Sequence, residues 1–320
     1  MSNDLASLSR AAKTGRWRPN RSLSKWSESA VKVLFGGFAL ISIATTIGII
    51  LSLVFETIEF FKQIPIGRFL FDREWTPLFN DPQYGIFVLI SATVLTATIA
   101  LSVSIPLGLM AAIFLSEYAS PGLRRWLKPL LELLAGVPTV VYGYFALLFI
   151  TPLLQNLIPG LETFNALSAG LIMGIAILPT IASLSEDAIY AVPQSLRQGA
   201  YALGAMRRET IQNVLLPAAL SGIAASCILG VARAVGETMI VTIAAGQNPR
   251  PLAADFSFLD PRLAVQTMTA FIVQVSLGDT PVDSIEYKTI FAVGMTLFTM
   301  TLLLNLVSFW FVNRFREKYE

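Results

Sequence analysis

Six runs in this sequence are apolar for long enough to cross a membrane, approximately at 31–55, 86–115, 127–154, 166–185, 214–246 and 289–312. A helix rises 1.5 Å per residue and the hydrocarbon layer is about 30 Å thick, so about 20 apolar residues suffice. In lipid the backbone must satisfy its own hydrogen bonds, which leaves helices as the economical solution for runs of this length. The expected fold is therefore an all-α integral membrane protein with six transmembrane helices. With 54% hydrophobic and 14% charged residues, the 320-residue chain is too apolar for a soluble globular domain. It has no His and a single Cys, Cys227, which excludes an imidazole base, a His-ligated metal and an internal disulfide. No phosphate-cradling G-x-x-x-x-G-K-[ST] loop and no nucleophile elbow occur. Neither a catalytic residue nor a cofactor or metal site is expected, and any ATP hydrolysis belongs to another chain.

Charge between the runs orients them. Arg124, Arg125 and Lys128 follow the second run, Arg197, Arg207 and Arg208 the fourth, and Arg314, Arg316 and Lys318 the sixth. The intervening segments are poorer: 56–85 carries Lys62, Arg68 and Arg73, and 155–165 carries no Lys or Arg. By the positive-inside rule both termini are cytoplasmic. The chain then divides into a basic tail at 1–30, with Arg10, Lys13, Arg16, Arg18, Arg21 and Lys25, a first span with an extracytoplasmic segment at 31–85, a five-helix domain at 86–312, and a short tail at 313–320. The first tail reads as an uncleaved cytoplasmic segment, because the apolar run behind it is of full spanning length; nucleic-acid binding is not expected of it. Residues 263–277 are apolar but short and contain Gln266 and Gln274, so they read as an interfacial or partly re-entrant helix within a 247–288 extracytoplasmic loop. Phe60, Phe61, Ile64, Phe69, Leu70, Trp75 and Phe79 make the segment after the first span aromatic, as an interfacial belt or a landing platform for a soluble protein.

A polar island at 186–217 interrupts the apolar pattern. Helix formers with Leu196, Ala200 and Leu203 at helical spacing, then Gly204, then a segment ending at Pro217, predict a short helix, a glycine turn and a second short helix on the cytoplasmic side. The fifth run holds Arg233 and, four residues on, Glu237. A charge at mid-bilayer costs about 2.5–3.5 kcal/mol on insertion scales, so the two must face protein or water. On a continuous helix they share a face, and could neutralise each other; the Arg-before-Glu order is the poorer one for such a pair. An Arg fork also suits a tetrahedral oxyanion. Gly and Pro within the spans, at Pro106, Gly108, Gly170, Gly174 and Pro179, fit close helix packing. The block Gly136-Val137-Pro138-Thr139-Val140-Val141-Tyr142-Gly143 is denser in small, polar and kinking residues and is a candidate pathway wall.

Gln198-Gly199-Ala200, three residues, Gly204, nine residues and Val214-x-Leu216-Pro217 resemble the cytoplasmic EAA loop of ABC-importer permeases, with Gln198 and Gly199 where that loop usually has Glu and Ala and Val214 where it has Ile. Trp75-Thr76-Pro77, Tyr84-Gly85-Ile86, Pro106-Leu107-Gly108, Leu115-Ser116-Glu117-Tyr118, the 136–143 block, Leu203-Gly204-Ala205 and Arg233-Ala234-Val235-Gly236-Glu237-Thr238 resemble, from about residue 30 onward, the PstC-type permease of the phosphate-specific ABC importer. The resemblance implies a type I importer fold in a bacterial plasma membrane, a PstA-type companion permease, two copies of an ATPase subunit, an extracytoplasmic phosphate-binding protein, and inward passage of phosphate. It makes 186–217 the coupling loop, with Gln198, Gly199, Ala200, Gly204, Leu216 and Pro217 at the ATPase, and matches Arg233 and Glu237 to the charged residues of the substrate pathway; Thr238, with Thr139 and Tyr142 of the candidate wall, completes the set of pathway candidates. Sulfate, molybdate or phosphonate would suit an Arg fork equally. A stand-alone channel or carrier would call for internal repeats or an acid-rich relay.

Overall fold

The structure is a computed structural model and describes residues 21–253 and 256–315. The basic residues Arg10, Lys13, Arg16 and Arg18, and Arg316 and Lys318 at the other end, lie outside it. The chain forms two compact units, residues 1–52 and 53–320. Helix α1 (Arg21–Gln63) begins in the first, and its described side chains as far as Ser52 are almost all exposed. The second unit contains α2 (Ile66–Phe71), α3 (Ile86–Ile113, continued by a wide turn over Phe114–Tyr118), α4 (Pro121–Ala135), α5 (Thr139–Gln155), α6 (Ala166–Tyr190), α7 (Gln194–Ala202), α8 (Arg207–Ala218), α9 (Leu220–Gly236), α10 (Met268–Leu277) and α11 (Ile285–Phe315). Four helices, α1, α3, α6 and α11, are long and apolar enough to cross a membrane; the bent pairs α4–α5 and α8–α9 bring the number to six if each makes one span.

The third run is not one straight helix from 127 to 154. It turns by 84° between α4 and α5, because Pro138 has no N–H to continue a helix and forces the preceding residue out of the helical region. Wide turns at Ala146–Ile150 and Ile211–Leu215 have the same origin. Pro152 and Pro217 follow them, and each ring crowds a carbonyl four residues back, inside the turn.

α6 is the central element. Its start is capped by Asn165, whose side chain accepts the Ser168 N–H at 2.7 Å. α3 runs beside it in the same direction: a Cβ at Gly170 would meet Ile99 at 2.7 Å, one at Gly174 the Ala100 carbonyl oxygen at 2.7 Å, and one at Gly108 would meet Ile181 at 3.0 Å. α9 runs antiparallel, with Gly222 on Ala188, Ser226 bonded to Ser185 at 2.6 Å, and Gly230 on Ile181. These glycines serve close helix approach, as expected of Gly108, Gly170 and Gly174. The fourth run extends past its expected end: α6 continues through Glu186 to Tyr190, so the polar island opens inside a helix.

At the other end of α3 the aromatic segment is mostly an internal core. Phe60, Phe69 and Trp75 are buried, meet edge to face, and pack on Tyr84 and on Phe271 of α10. Phe79 alone of the seven is strongly exposed. α10, at ten residues, is too short to cross and is anchored by the Met268 N–H on Thr93 Oγ1 at 3.1 Å. In the loop before it, the Arg262 guanidinium forks the Asp260 carboxylate and holds its pKa down to about 2.

Gly174→Val must push α3 off α6, since the obstructing atom is backbone; it is expected to cost about 1–3 kcal/mol. Thermal unfolding in detergent should show a lowered midpoint, with Gly67→Ala, where nothing lies within 4 Å, unchanged.

Candidate functional site

The fifth run breaks at the residues of interest. α9 ends at Gly236, Glu237 takes an extended conformation (φ −64°, ψ 133°), and helical structure resumes through Val241–Ala245. Arg233 and Glu237 therefore do not share the face of one helix, as an unbroken span would require. The Glu237 side chain turns forward to the resumed helix, where Oε1 accepts the Ile240 N–H at 3.3 Å. Its carbonyl accepts the Thr269 hydroxyl of α10 at 2.8 Å. The freed backbone groups of the break are thus met by a carboxylate and a hydroxyl, as a break at membrane depth demands.

Arg233 points the other way. Its Nη1 donates to Thr180 Oγ1 on α6 at 2.8 Å, and among the described residues it forms no ion pair. Thr180 stands 14 residues after Ala166 (180 minus 166), about 21 Å along α6, so the guanidinium sits well inside the span. It is half-buried and near enough to Tyr142 for its charge to act on the phenol. Tyr142 is held by donating to the Leu134 carbonyl at 2.9 Å, across the 136–138 turn. Gly143, next to it, lies against Ile243 and the Met239 carbonyl, bringing α5 onto the broken segment. Thr139 is at the first position of α5, three residues before Tyr142 and on its side of the helix; its hydroxyl has no hydrogen bond among the described residues. Thr238 spends its hydroxyl locally on the Gly236 carbonyl at 3.3 Å. Arg233, Tyr142 and the break at 237–238 therefore come together, with Thr180 added by the structure.

The second constellation is the knob. α7 ends at Ala202, Gly204 takes φ +84°, and the Ala205 N–H returns to the Ala200 carbonyl at 3.1 Å. A residue without Cβ adopts this left-handed turn freely. Leu203 lies past the helix end and is 90% exposed, so it does not share the inward side of Leu196 and Ala200 as helical spacing suggests; with Met206 it forms an apolar tip. Gln198 and Gly199 are exposed. Pro217 follows the wide turn of α8, Leu216 packs inward, and the chain bends by 70° into α9.

Arg197 bolts this knob down. It is buried, its Nη2 donates to the Ile189 carbonyl of α6 at 2.8 Å and lies 3.1 Å from Glu117 Oε1 at the end of α3. Beside it Glu186, fully buried, is held by Arg124 and by Lys128 Nζ at 2.7 Å; Lys128 also reaches Asp187 at 2.5 Å.

The sequence family described as binding-protein-dependent transport system inner membrane component matches residues 104–320. The chain belongs to that family. A probable ABC transporter permease, YqgH of Bacillus subtilis, is 33% identical over 91% of this chain and 91% of its own length. The phosphate transport system permease PstC of Haemophilus influenzae is 31% identical over 91% and 95%. Among solved structures, a bacterial alginate ABC transporter in complex with its periplasmic protein aligns over 92% of this chain and 99% of its own at a TM-score of 0.62 and 16% identity. The MetNI methionine transporter, in inward-facing form, aligns over 73% and 95% at 0.52. These likenesses give the permease the type I importer fold.

Sequence reasoning passed over Thr180, Glu117 and Glu186 as parts of the permease's working structure, and counted Arg197, Arg124 and Lys128 only as orientation charges. A buried pair is revealed by the helices that converge on it, which no local pattern carries. Arg197→Met strands the Glu117 charge and should destabilise by about 3–5 kcal/mol, whereas Glu117→Met combined with Arg197→Met should recover most of the loss. Thermal midpoints of the three variants test this; equal losses in the single and double variants would refute it.

Proposed function

We propose that this permease passes inorganic phosphate inward across a bacterial plasma membrane, as one subunit of an ATP-driven importer working by alternating access. The single observation behind the reading is Arg233: a half-buried guanidinium deep in a span, bonded to a neutral threonine, with no carboxylate in an ion pair among the described residues. An ion in that position needs a counter-charge, and a passing tetrahedral oxyanion supplies one in the bidentate geometry the fork favours. The PstC relatives support phosphate as that anion.

In this mechanism Arg233 and Tyr142 receive the anion, with Thr139 and Thr238 along its path. The Glu237 carboxylate, occupied by the Ile240 N–H, leaves Arg233 free. Selectivity rests chiefly with an extracytoplasmic phosphate-binding protein. A PstA-type permease completes the pathway. Two copies of an ATPase subunit supply the energy. One of them receives the knob: Leu203 and Met206 enter its cleft, flanked by Gln198 and Gly199, while Ala200 and the Gly204 turn set their presentation. Closure of the ATPase moves the knob. Leu216 and Pro217, at the bend, pass the motion to α9, which carries Arg233 13 residues after Leu220 (233 minus 220), about 20 Å away. Both termini are cytoplasmic on this reading.

Radiolabelled phosphate uptake into vesicles containing all the subunits tests the pathway. Arg233→Ala removes a hydrogen-bonding charge worth about 1.5–3 kcal/mol, so uptake should fall about ten- to a hundredfold with the complex still assembled; normal uptake would sink the role. Excess unlabelled sulfate should leave uptake unchanged, and competition by it would point to a broader oxyanion permease. Gly204→Val imposes about 1–3 kcal/mol of backbone strain on the turn. It should abolish the stimulation of ATP hydrolysis by the loaded binding protein, and retained stimulation would refute the knob's part.

A further inference from the structure

α4 has no role in the transport scheme, yet it is a strongly two-faced helix. Leu123, Trp126, Leu127, Leu130, Leu131 and Leu134 recur at helical spacing on one side, and Arg124, Arg125, Lys128 and Glu132 on the other. None of its residues is buried. Trp126, Leu130 and Leu133 are 76, 53 and 69% exposed, too much apolar surface to rest in water.

Two lengths bear on its depth and direction. A 15-residue helix is about 22 Å long, and at 84° to α5 it adds only about 2 Å along the direction of that span. Its polar side is bonded to Glu186 and Asp187, and Glu186 is 20 residues after Ala166 (186 minus 166), about 30 Å along α6 and so one hydrocarbon thickness from its start. The helix thus lies crosswise at the boundary where α6 leaves the membrane. Between it and α3 lies an open groove of about 310 Å³, lined by Ala111, Phe114 and Leu115 and by Leu127, Leu130 and Leu134, with no polar side chain among the residues lining it. So apolar a groove favours an apolar occupant.

We propose that α4 is a membrane-surface helix, seated in the interfacial layer with its leucine side in the acyl region, and that a phospholipid acyl chain fills the groove between α4 and α3. The charges permit this seat. Arg124 and Lys128 are neutralised by Glu186 and Asp187, and exposed Arg125 is free to extend to a headgroup while its stem stays on the apolar layer. Trp126 sits where an indole settles at an interface. The lipid seat also has a mechanical consequence: through Glu186 it fixes the level at which α6 hands over to the knob. This inference is independent of the anion carried.

The test uses the assembled importer in phosphatidylcholine vesicles. Spin labels are placed one at a time at Leu130→Cys and Arg125→Cys in a Cys227→Ser background, and collisions with oxygen and with a water-soluble nickel chelate are compared. The label at 130 should be reached by oxygen and shielded from nickel, and the label at 125 should be reached by nickel. Nickel access at 130 would put α4 in water, and exclusion of both reagents would mean that another subunit covers it; either result overturns the proposal. A second measurement leaves the helix intact. Phosphatidylcholine brominated high on the chain should quench native fluorescence more than that of Trp126→Phe, and equal quenching of the two would also overturn it.

Discussion

Inside hydrocarbon, every charge and every interrupted hydrogen-bond ladder must find its partner within the protein. In this permease that partner is nearly always α6. It receives the glycine contacts of α3 and α9, the Ser185–Ser226 bond, the Arg233 guanidinium on Thr180, and at its end the Arg124 and Lys128 charges on Glu186. The small residues that let α3 approach to backbone contact also leave little freedom between the two helices. They form a stiff pair, against which the broken α9 and the bent α4–α5 pair are the parts built to change direction.

The break at Gly236–Thr238 shows how such a change is stabilised. Gly236 ends α9, the Glu237 carboxylate caps the resumed helix at Ile240, and the Thr269 hydroxyl takes the Glu237 carbonyl. Arg233, Gly236 and Glu237, which read as one motif in the sequence, thus have separate tasks. The acid is committed to backbone, which is why the Arg233 charge stays open. An i,i+4 reading on an ideal helix pairs the two because it presumes the helix continues.

This marks the boundary of what the sequence discloses. The number and order of the spans follow from hydropathy over windows of about 20 residues, a sum that survives local irregularity. The glycine turn of the knob follows from Gly204, whose positive φ few other residues tolerate. Direction does not follow from either. Hydropathy counts apolar residues whether a helix crosses the membrane or lies along it, so α4 merged with α5 into one run although Gly136-Val137-Pro138 marked the turn. Partnership is equally silent: Phe60 and Trp75 resemble interfacial anchors until α10 is laid over them, and Glu186 resembles the start of a loop until Arg124 and Lys128 arrive from 58 to 62 residues away.

Arg197 and Arg233 make the same point from the opposite side. Both are arginines near a glutamate in a largely apolar chain. Arg197 is sealed, with a carboxylate and a carbonyl as partners, and it joins three helices. Removing its charge together with that of Glu117 would leave a packed apolar joint, because two charges that cancel have no further electrostatic task. Arg233 is half-exposed and holds only a hydroxyl, so its charge remains available to something that arrives from outside the chain. The difference between an anchor and a site is therefore carried by what the neighbouring carboxylate is doing. Glu117 turns toward its arginine, while Glu237 is drawn away by a backbone N–H that is left free only because the helix is broken.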